Sequence, residues 1–209
     1  MLLADCDLSA PQNQQDSNFL RLPAELRNRI YQLVLSGYDI KIFYHDDLGM
    51  RAIIHRPHKP NRLFDFILGR RVFSLLLVCH QIHAETRLLP FSMNEFVIPA
   101  CPVFHYFCNV IPPDQLNAIT TVRLQIGEQL GNIERDWSGE IGLGSTLISV
   151  LRRLRTLETI RKVRLEWTMT MVGCSDAAWW NNRREALRVM VGFELNKACS
   201  KRIVQVEFL

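Results

Sequence analysis

Apolar residues recur at helical spacing in the segment from Asn18 to Leu35, "NFLRLPAELRNRIYQLVL". One side of the predicted helix is apolar and carries Leu22, Leu26, Ile30, Leu33 and Val34. The other side is polar, with Arg27, Asn28 and Gln32. Pro23 suits the first helical turn, where its missing N–H costs nothing, and Gly37 is well placed to end the helix. The pattern predicts an amphipathic helix whose apolar side faces either the core or a partner.

The period of the pattern changes after this helix. The runs "YDIKIFYH" and "RAIIHRP" are rich in β-branched and aromatic residues and are joined by the turn-like "DDLGM", which predicts a β-hairpin. The segment from Arg70 to Leu89 is apolar nearly all round in its first half, which predicts a helix central to the core. Pro90 ends it, and "NEFVIP" is a strand candidate.

Three strand-like runs occupy the C-terminal half: "ITTVRLQI", "IRKVRLEW" and "KRIVQVEF". Val122, Val163 and Val204 lie at the same position in these runs and are 41 residues apart. Helical runs separate the strands, the first with apolar residues at Leu147, Ile148, Leu151 and Leu154 and the second at Leu187, Met190, Val191, Leu195 and Ala198. The order is βαβαβ, for which parallel strands with right-handed crossovers are expected. The equal spacing leaves open whether the units are a true repeat.

Composition is that of a globular chain, with 48% hydrophobic and 22% charged residues over 209 positions. No apolar run reaches the length of a membrane span, and the first residues carry no basic region typical of a secretory signal. We therefore expect an intracellular protein, cytoplasmic or nuclear. The net charge of +4 is small, and the arginines around Arg152 are typical of a solvated helix face, so nucleic-acid binding is not favoured.

Cysteine and histidine groupings give little support for a metal site. Two groups imitate one: Cys79, His80 and His83, and Cys101, His105 and Cys108. Neither has the paired Cys-x-x-Cys spacing that would complete a tetrahedral zinc site, and the six cysteines lack the spacing of a disulfide framework. We expect reduced cysteines and no bound metal.

Motifs for catalysis are missing from the sequence. Gly139, Gly142 and Gly144 precede a helix, but their spacing and the long loop differ from those of a dinucleotide site. The chain has no G-x-S-x-G or H-E-x-x-H motif. We therefore expect a protein that is not an enzyme and that needs no cofactor.

Two segments resemble the halves of an F-box. "LRLPAELRNRIYQLVL" resembles the first half, with the Leu-Pro-x-Glu-Leu pattern at residues 22–26. "LLLVCHQIHAETRLLPF" at residues 75–91 is similar to the second half. Together they resemble a large fungal family of mostly uncharacterised F-box-like proteins, over residues 19 to 98. About 40 residues separate Leu35 from Leu75, whereas an ordinary F-box has a short turn there.

The resemblance implies an adaptor. F-box proteins bind the Skp adaptor of a cullin-RING ubiquitin ligase through these helices and present a protein substrate through another region. The adaptor-binding residues implied by the matching positions are Leu22, Pro23, Leu26, Ile30, Leu33, Val78 and Ile82. The substrate is unknown; adjacent Trp179 and Trp180 are candidates because tryptophan is enriched at interface hot spots. The alternative is a stand-alone α+β interaction domain that does not bind the Skp adaptor.

The expected fold is therefore α+β. Residues 1–17 are predicted to be a disordered leader, and residues 18–98 to contain F-box-like helices with an inserted β-hairpin. Residues 99–209 are predicted to form an α/β region with a largely parallel sheet, packed with the first region as one globular unit. The decisive question is whether the inserted hairpin covers the apolar side of the first helix.

Overall fold

In the part of the chain that the structure describes, six β-strands form one sheet in the order β2-β1-β3-β4-β5-β6. The computed structural model describes residues 17–45, 47–57, 73–100, 102–126, 145–157, 159–167, 185, 189, 191–193, 195 and 205–208. The strands are β1 (Asp39–His45), β2 (Gly49–His55), β3 (Glu95–Pro99), β4 (Thr121–Ile126), β5 (Lys162–Trp167) and β6 (Gln205–Phe208). The α-helices are α1 (Ala24–Leu35), α2 (His80–Thr86), α3 (Leu89–Ser92), α4 (Pro102–Val110), α5 (Pro113–Leu116) and α6 (Ser145–Arg155), and a 3₁₀ helix spans Phe73–Leu77.

The sheet is mostly parallel, as the sequence predicts. β1 and β2 are antiparallel and form the predicted hairpin. All other neighbouring strands, from β1–β3 to β5–β6, are parallel. The mixed α+β fold is thus confirmed, and the sheet combines strands from both of the predicted regions. Residues 1–16 of the predicted leader lie outside the described part of the chain.

The turn between His45 and Gly49 reverses the direction of the chain from β1 to β2. The backbone N–H of Leu48 donates to the carbonyl of His45 at 3.2 Å, and Gly49 has a φ of 68°. Such a positive φ is strained for residues that carry a Cβ, so glycine at this position allows the tight turn.

The prediction of one central helix from Arg70 to Leu89 is wrong. The 3₁₀ helix ends at Leu77, and Cys79 is extended, with φ −158° and ψ 166°, before α2 begins. Leu77 is 78% exposed and Val78 61%, whereas Leu75 and Leu76 are partly buried, so this apolar run lies at the margin of the core and not at its centre. Apolar content alone does not show whether a segment is one continuous core helix. The break at Cys79 depends on tertiary contacts, which the local sequence pattern does not contain.

One face of the sheet is apolar and is covered by helices. Ile98, Leu124 and Val163 point to this face and are fully buried. α4 and α6 contact each other, and His105 of α4 and Ser149 of α6 lie 2.9 Å apart (Nε2 to Oγ). Both helices therefore lie on the same side, as expected when sequential parallel strands are joined by crossovers of one hand.

The other face carries a chain of ion pairs, which we call the sheet ion network. It runs across β1, β3, β4, β5 and β6 through Asp39, Glu95, Arg123, Arg164 and Glu207. Arg123 lies 3.2 Å from Asp39 and 2.6 Å from Glu95, and Arg164 lies 2.8 Å from Glu95 and 2.9 Å from Glu207. Polar and apolar residues alternate along β4 and β5. Each strand therefore presents apolar side chains to one face of the sheet and polar or charged side chains to the other.

The equal spacing predicted for the three C-terminal strands holds for only one pair. β4 and β5 pair at an offset of 41, as between Gln125 and Glu166. β5 and β6 pair at an offset of 43, so that Arg164 lies opposite Glu207 and Val163 opposite Val206. The 41-residue spacing of the three sequence runs therefore does not carry over to the pairing of β5 with β6, although a shift of two residues keeps every side chain on its expected face.

The centre of the sheet ion network is buried. The side chain of Asp39 is 7% exposed and that of Glu95 10%. Burial raises the pKa of Asp39, although the nearby Arg123 guanidinium acts in the opposite direction. Arg123 therefore offsets the cost of removing both carboxylates from water, and Arg164 contributes further at Glu95.

We predict that Arg123→Ala destabilises the protein by about 3–5 kcal/mol, since it leaves two buried carboxylates without their shared partner. Lys162→Ala is the matched control, because Lys162 pairs with the half-buried Glu207 at the rim of the network. Lys162→Ala is expected to lower the free energy of unfolding by about 1 kcal/mol or less. Urea unfolding followed by circular dichroism measures both values, and equal losses would contradict the prediction.

Candidate functional site

One side of α1, with Arg27, Tyr31 and Leu35, contacts the protein, and the predicted apolar side faces solvent. Tyr31 and Leu35 are fully buried. Leu26 is 52% exposed, Leu33 66% and Ile30 36%. These residues, together with the exposed Val34, form what we call the α1 stripe. A surface helix normally buries an apolar stripe of this kind, so the exposed α1 stripe is the first candidate site.

A salt bridge accounts for the orientation of α1. The guanidinium of Arg27 donates to both carboxylate oxygens of Glu85 on α2, with Nε to Oε2 at 3.0 Å and Nη2 to Oε1 at 2.7 Å. The hydroxyl of Tyr31 donates to the same carboxylate at 2.8 Å. Arg27 also donates to the carbonyl of Leu22 at 2.6 Å. Because Arg27 and Tyr31 lie one turn apart, this clamp, as we call it, turns one whole side of α1 towards α2.

The electrostatics of the clamp favour its ionised form. Hydrogen bonds from Arg27 lower the pKa of Glu85 to about 2, with further donors in Gln81 and Tyr31. Burial and the hydrogen bond to Glu85 raise the pKa of Tyr31, so its hydroxyl stays protonated and continues to donate. Two-pronged pairs of arginine and carboxylate are stronger than single charged contacts, and they fix orientation as well as distance.

The predicted adaptor-binding residues divide into exposed and buried members. Pro23 is exposed next to Leu26, Leu22 is partly buried, and Val78 is exposed on the chain leading into α2. Ile82 is 4% exposed. Ile82 is therefore not part of the exposed apolar surface, because α2 packs this side chain into the core.

One exposed apolar residue near α2 is missing from the predicted set. Leu77 precedes Val78 and is the more exposed of the two. It lies at the end of a 3₁₀ helix and not on a regular α-helix, so helical spacing gives no signal for it. Trp179 and Trp180, the candidate substrate residues, lie outside the described residues.

The metal candidates do not come together in the described part of the chain, where no group of three potential ligands is present. His83 Nδ1 lies 3.0 Å from the carbonyl of Leu76, and His105 contacts Ser149. Burial raises the pKa of the Cys108 thiol, which is the opposite of what a metal ligand needs. Cys101 lies outside the described residues.

A shallow depression of about 360 Å³ lies at the amino ends of the parallel strands. Asn94, Glu95, Lys162 and Arg164 are among its lining residues. Lys162 pairs with Glu207 at 2.6 Å, and Arg164 pairs with Glu95 and Glu207. The basic groups at this depression are thus already neutralised within the sheet ion network, which makes it a weaker candidate than the α1 stripe.

Among the described residues, no helix is both long and apolar enough to span a bilayer.

A family of known sequences matches a large part of the chain. The family described as "Domain of unknown function (DUF7730)" matches residues 12–129, which is more than half of the chain. The chain belongs to the DUF7730 family. No curated protein matches this DUF7730 chain, and no solved structure does either.

The part of the chain that matches DUF7730 contains the main features of the candidate site. It includes α1 with its stripe, the hairpin, α2 with Glu85, and the strands as far as β4. The clamp and the buried centre of the sheet ion network therefore both lie within the DUF7730 match.

We predict that Glu85→Gln destabilises the protein at neutral pH by about 2 kcal/mol, because it removes the charged acceptor of the clamp. Glu85 has a folded pKa of about 2, below the ordinary 4.5, so its contribution is complete above pH 4.5. It is lost as the pH falls towards 2. The difference in unfolding free energy between wild type and Glu85→Gln should therefore shrink on acidification.

Urea unfolding at a series of pH values between about 3 and 7 measures this difference. Glu25→Gln is the control, since Glu25 is exposed in the first turn of α1. Its effect on stability is expected to stay within about 0.5 kcal/mol. If the difference in unfolding free energy between wild type and Glu85→Gln stayed constant across the pH range, the role assigned to the clamp would be contradicted.

Proposed function

We propose that the α1 stripe binds the Skp-type adaptor of a cullin-RING ubiquitin ligase, and that the protein is a non-catalytic subunit that recruits a substrate. The supporting observation is the exposure of Leu26, Ile30 and Leu33 on a helix that contacts the protein through its other side. The F-box resemblance of the same residues indicates which partner to test. On this proposal the protein works inside the cell, with a protein substrate still to be found.

The position of the hairpin favours docking. β1 pairs with β3, and β2 lies outside β1 at the edge of the sheet. The described part of the insertion therefore belongs to the sheet and leaves the α1 stripe exposed. Exposure above one half is met by Leu26 and Leu33, while Ile30 is 36% exposed and Leu22 is partly buried. The exposed surface is thus centred on the middle and the end of the helix.

The physics of the α1 stripe suits binding in a groove. Complete burial of a leucine or isoleucine side chain stabilises a complex by about 1.5–3 kcal/mol, and roughly half of that area remains exposed here. Amphipathic helices commonly bind partners through residues at the i, i+4 and i+7 positions, which Leu26, Ile30 and Leu33 occupy. The clamp holds α1 in place without using these side chains, so the helix is ordered before it binds.

The alternative is a stand-alone α+β interaction domain that does not bind the Skp adaptor. Exposure of the stripe is compatible with both proposals, because an apolar surface does not name its partner. The two differ only in whether the Skp adaptor binds.

We predict that the wild-type protein co-purifies with the Skp adaptor and that Leu26→Asp and Ile30→Asp each weaken this binding at least about tenfold. A carboxylate buried in the interface without a partner is costly, whereas the same group on the free surface is not. Isothermal titration calorimetry with the purified adaptor measures the affinities. Circular dichroism should show that both variants remain folded, since both side chains are exposed.

Val110→Asp is the matched control, because Val110 is also an exposed apolar residue but lies on α4. It should bind the adaptor as the wild type does. Lack of binding by the wild type would exclude the ligase proposal and favour the alternative. Equal loss in all three variants would show that the effect is not specific to the α1 stripe.

A further inference from the structure

One border of the α1 stripe carries a cation without a partner. Arg29 lies three residues after Leu26 and four before Leu33, so its side chain emerges beside both leucines. It is exposed, and within the described part of the chain it forms no ion pair and no side-chain hydrogen bond. A guanidinium is weakly hydrated for a cation and binds carboxylates through a planar fork, so Arg29 is available to a second molecule.

The other charges of α1 do not neutralise Arg29. Arg27 is paired with Glu85 in the clamp. Glu25 lies four residues before Arg29, a spacing at which opposite charges often pair, but the two side chains form no salt bridge. Glu25 lies instead at the amino end of the helix, which has no side-chain cap, and there it offsets the positive end of the helix dipole. Around the helix, Arg29 also lies closer to the stripe than Glu25 does.

The opposite border of the stripe is formed by the clamp, whose charges are paired. There α1 meets α2 through Arg27, Tyr31 and Glu85, which hydrogen-bond to one another. The α1 stripe therefore has a closed salt bridge along one border and a free arginine along the other. A partner that covers the stripe meets an unpaired positive charge on one border, so charge can determine which way round it binds.

We infer that Arg29 extends the α1 stripe into a mixed apolar and basic docking surface, and that the partner's apolar groove has a carboxylate on its rim that meets Arg29. The partner to be tested is the Skp-type adaptor, so this inference rests on the proposed function. Leu26, Ile30 and Leu33 contribute burial of apolar area, whereas Arg29 contributes attraction and orientation. Charges at the rim of an interface act mainly on association, and buried contacts act mainly on dissociation.

Two other occupants suit this surface less well. Helices that lie on anionic membranes carry many lysines and arginines on their polar side and often aromatic residues on their apolar side. The α1 stripe has no aromatic residue, and Arg29 is the one unpaired cation of α1. A second copy of α1, packed antiparallel and centred on Ile30, would place the two Arg29 side chains on the same border, where like charges repel.

The test uses the full chain and the purified Skp-type adaptor, with association and dissociation rates measured by surface plasmon resonance at low salt. Arg29→Glu should slow association about tenfold, because repulsion replaces attraction to the carboxylate. Arg29→Lys should stay within about threefold of the wild type, since it keeps the charge that attracts the partner. Raising the salt concentration from about 50 to about 500 mM should remove most of the difference between wild type and Arg29→Glu.

Two matched variants separate charge from general disturbance of the surface. Glu25→Gln removes a negative charge one turn before Arg29, so it should leave association unchanged or make it up to about threefold faster. Arg152→Glu reverses an exposed arginine on α6 and should associate within about twofold of the wild-type rate. Because the three side chains are exposed, circular dichroism should show that all these variants remain folded.

The outcomes distinguish failure of this inference from failure of the proposed function. If the wild type binds the adaptor and Arg29→Glu associates at the same rate, the inference is overturned and the proposed function stands. Equal slowing by Arg29→Glu and Arg152→Glu also overturns it, because the charge effect is then not local to the stripe. If the wild type does not bind the adaptor, both fall. Binding to phosphatidylserine vesicles, or dimerisation that Leu26→Asp abolishes, would then assign the stripe to a membrane surface or to a second copy.

Discussion

The orientation of α1 depends on the contact between Arg27 and Glu85. A guanidinium and a carboxylate act beside the apolar contacts of Tyr31 and Leu35 in attaching α1 to its domain. With Tyr31 buried beside them, they leave Leu26, Ile30 and Leu33 on the outside. An apolar pair at these two positions could attach the helix equally well, but it would not restrict rotation about the helix axis to the same degree, since directional hydrogen bonds are lost. The clamp therefore determines which residues the protein presents.

The sheet is built on a related principle. Its strands from β3 to β6 follow one another in sequence order, and α4 and α6 cover the same face. A doubly wound sheet buries both faces and needs strands that are apolar throughout. Here the alternation in "TVRLQI" and "KVRLEW" matches a sheet with one helical layer, and the second face is held together by ion pairs.

Local patterns in the sequence predict the elements well, but they do not predict how surfaces are oriented. The hairpin follows from turn residues around Gly49, and the parallel strands follow from alternation around Val122 and Val163. The α1 stripe is visible from its spacing, but its exposure is not, because Glu85 lies 58 residues from Arg27 and nothing local connects them. The break at Cys79 and the burial of Ile82 likewise depend on packing between distant segments. The edge position of β2 becomes apparent only when the strand order is known.

The sheet ion network also resolves an ambiguity that the apolar face leaves. Alternating side chains specify strand register only to within a multiple of two, since a slip of two residues returns every side chain to its own face. Such a slip moves the charges by about 6–7 Å along the strand, beyond the reach of an ion pair. The pairing of β5 with β6 shows the consequence: it is the register that brings Arg164 opposite Glu207, and not the one that equal spacing would give. The ion pairs on the charged face thus select one strand register. Burial of the apolar face does not, because a slip by an even number of residues leaves the apolar side chains on the same face.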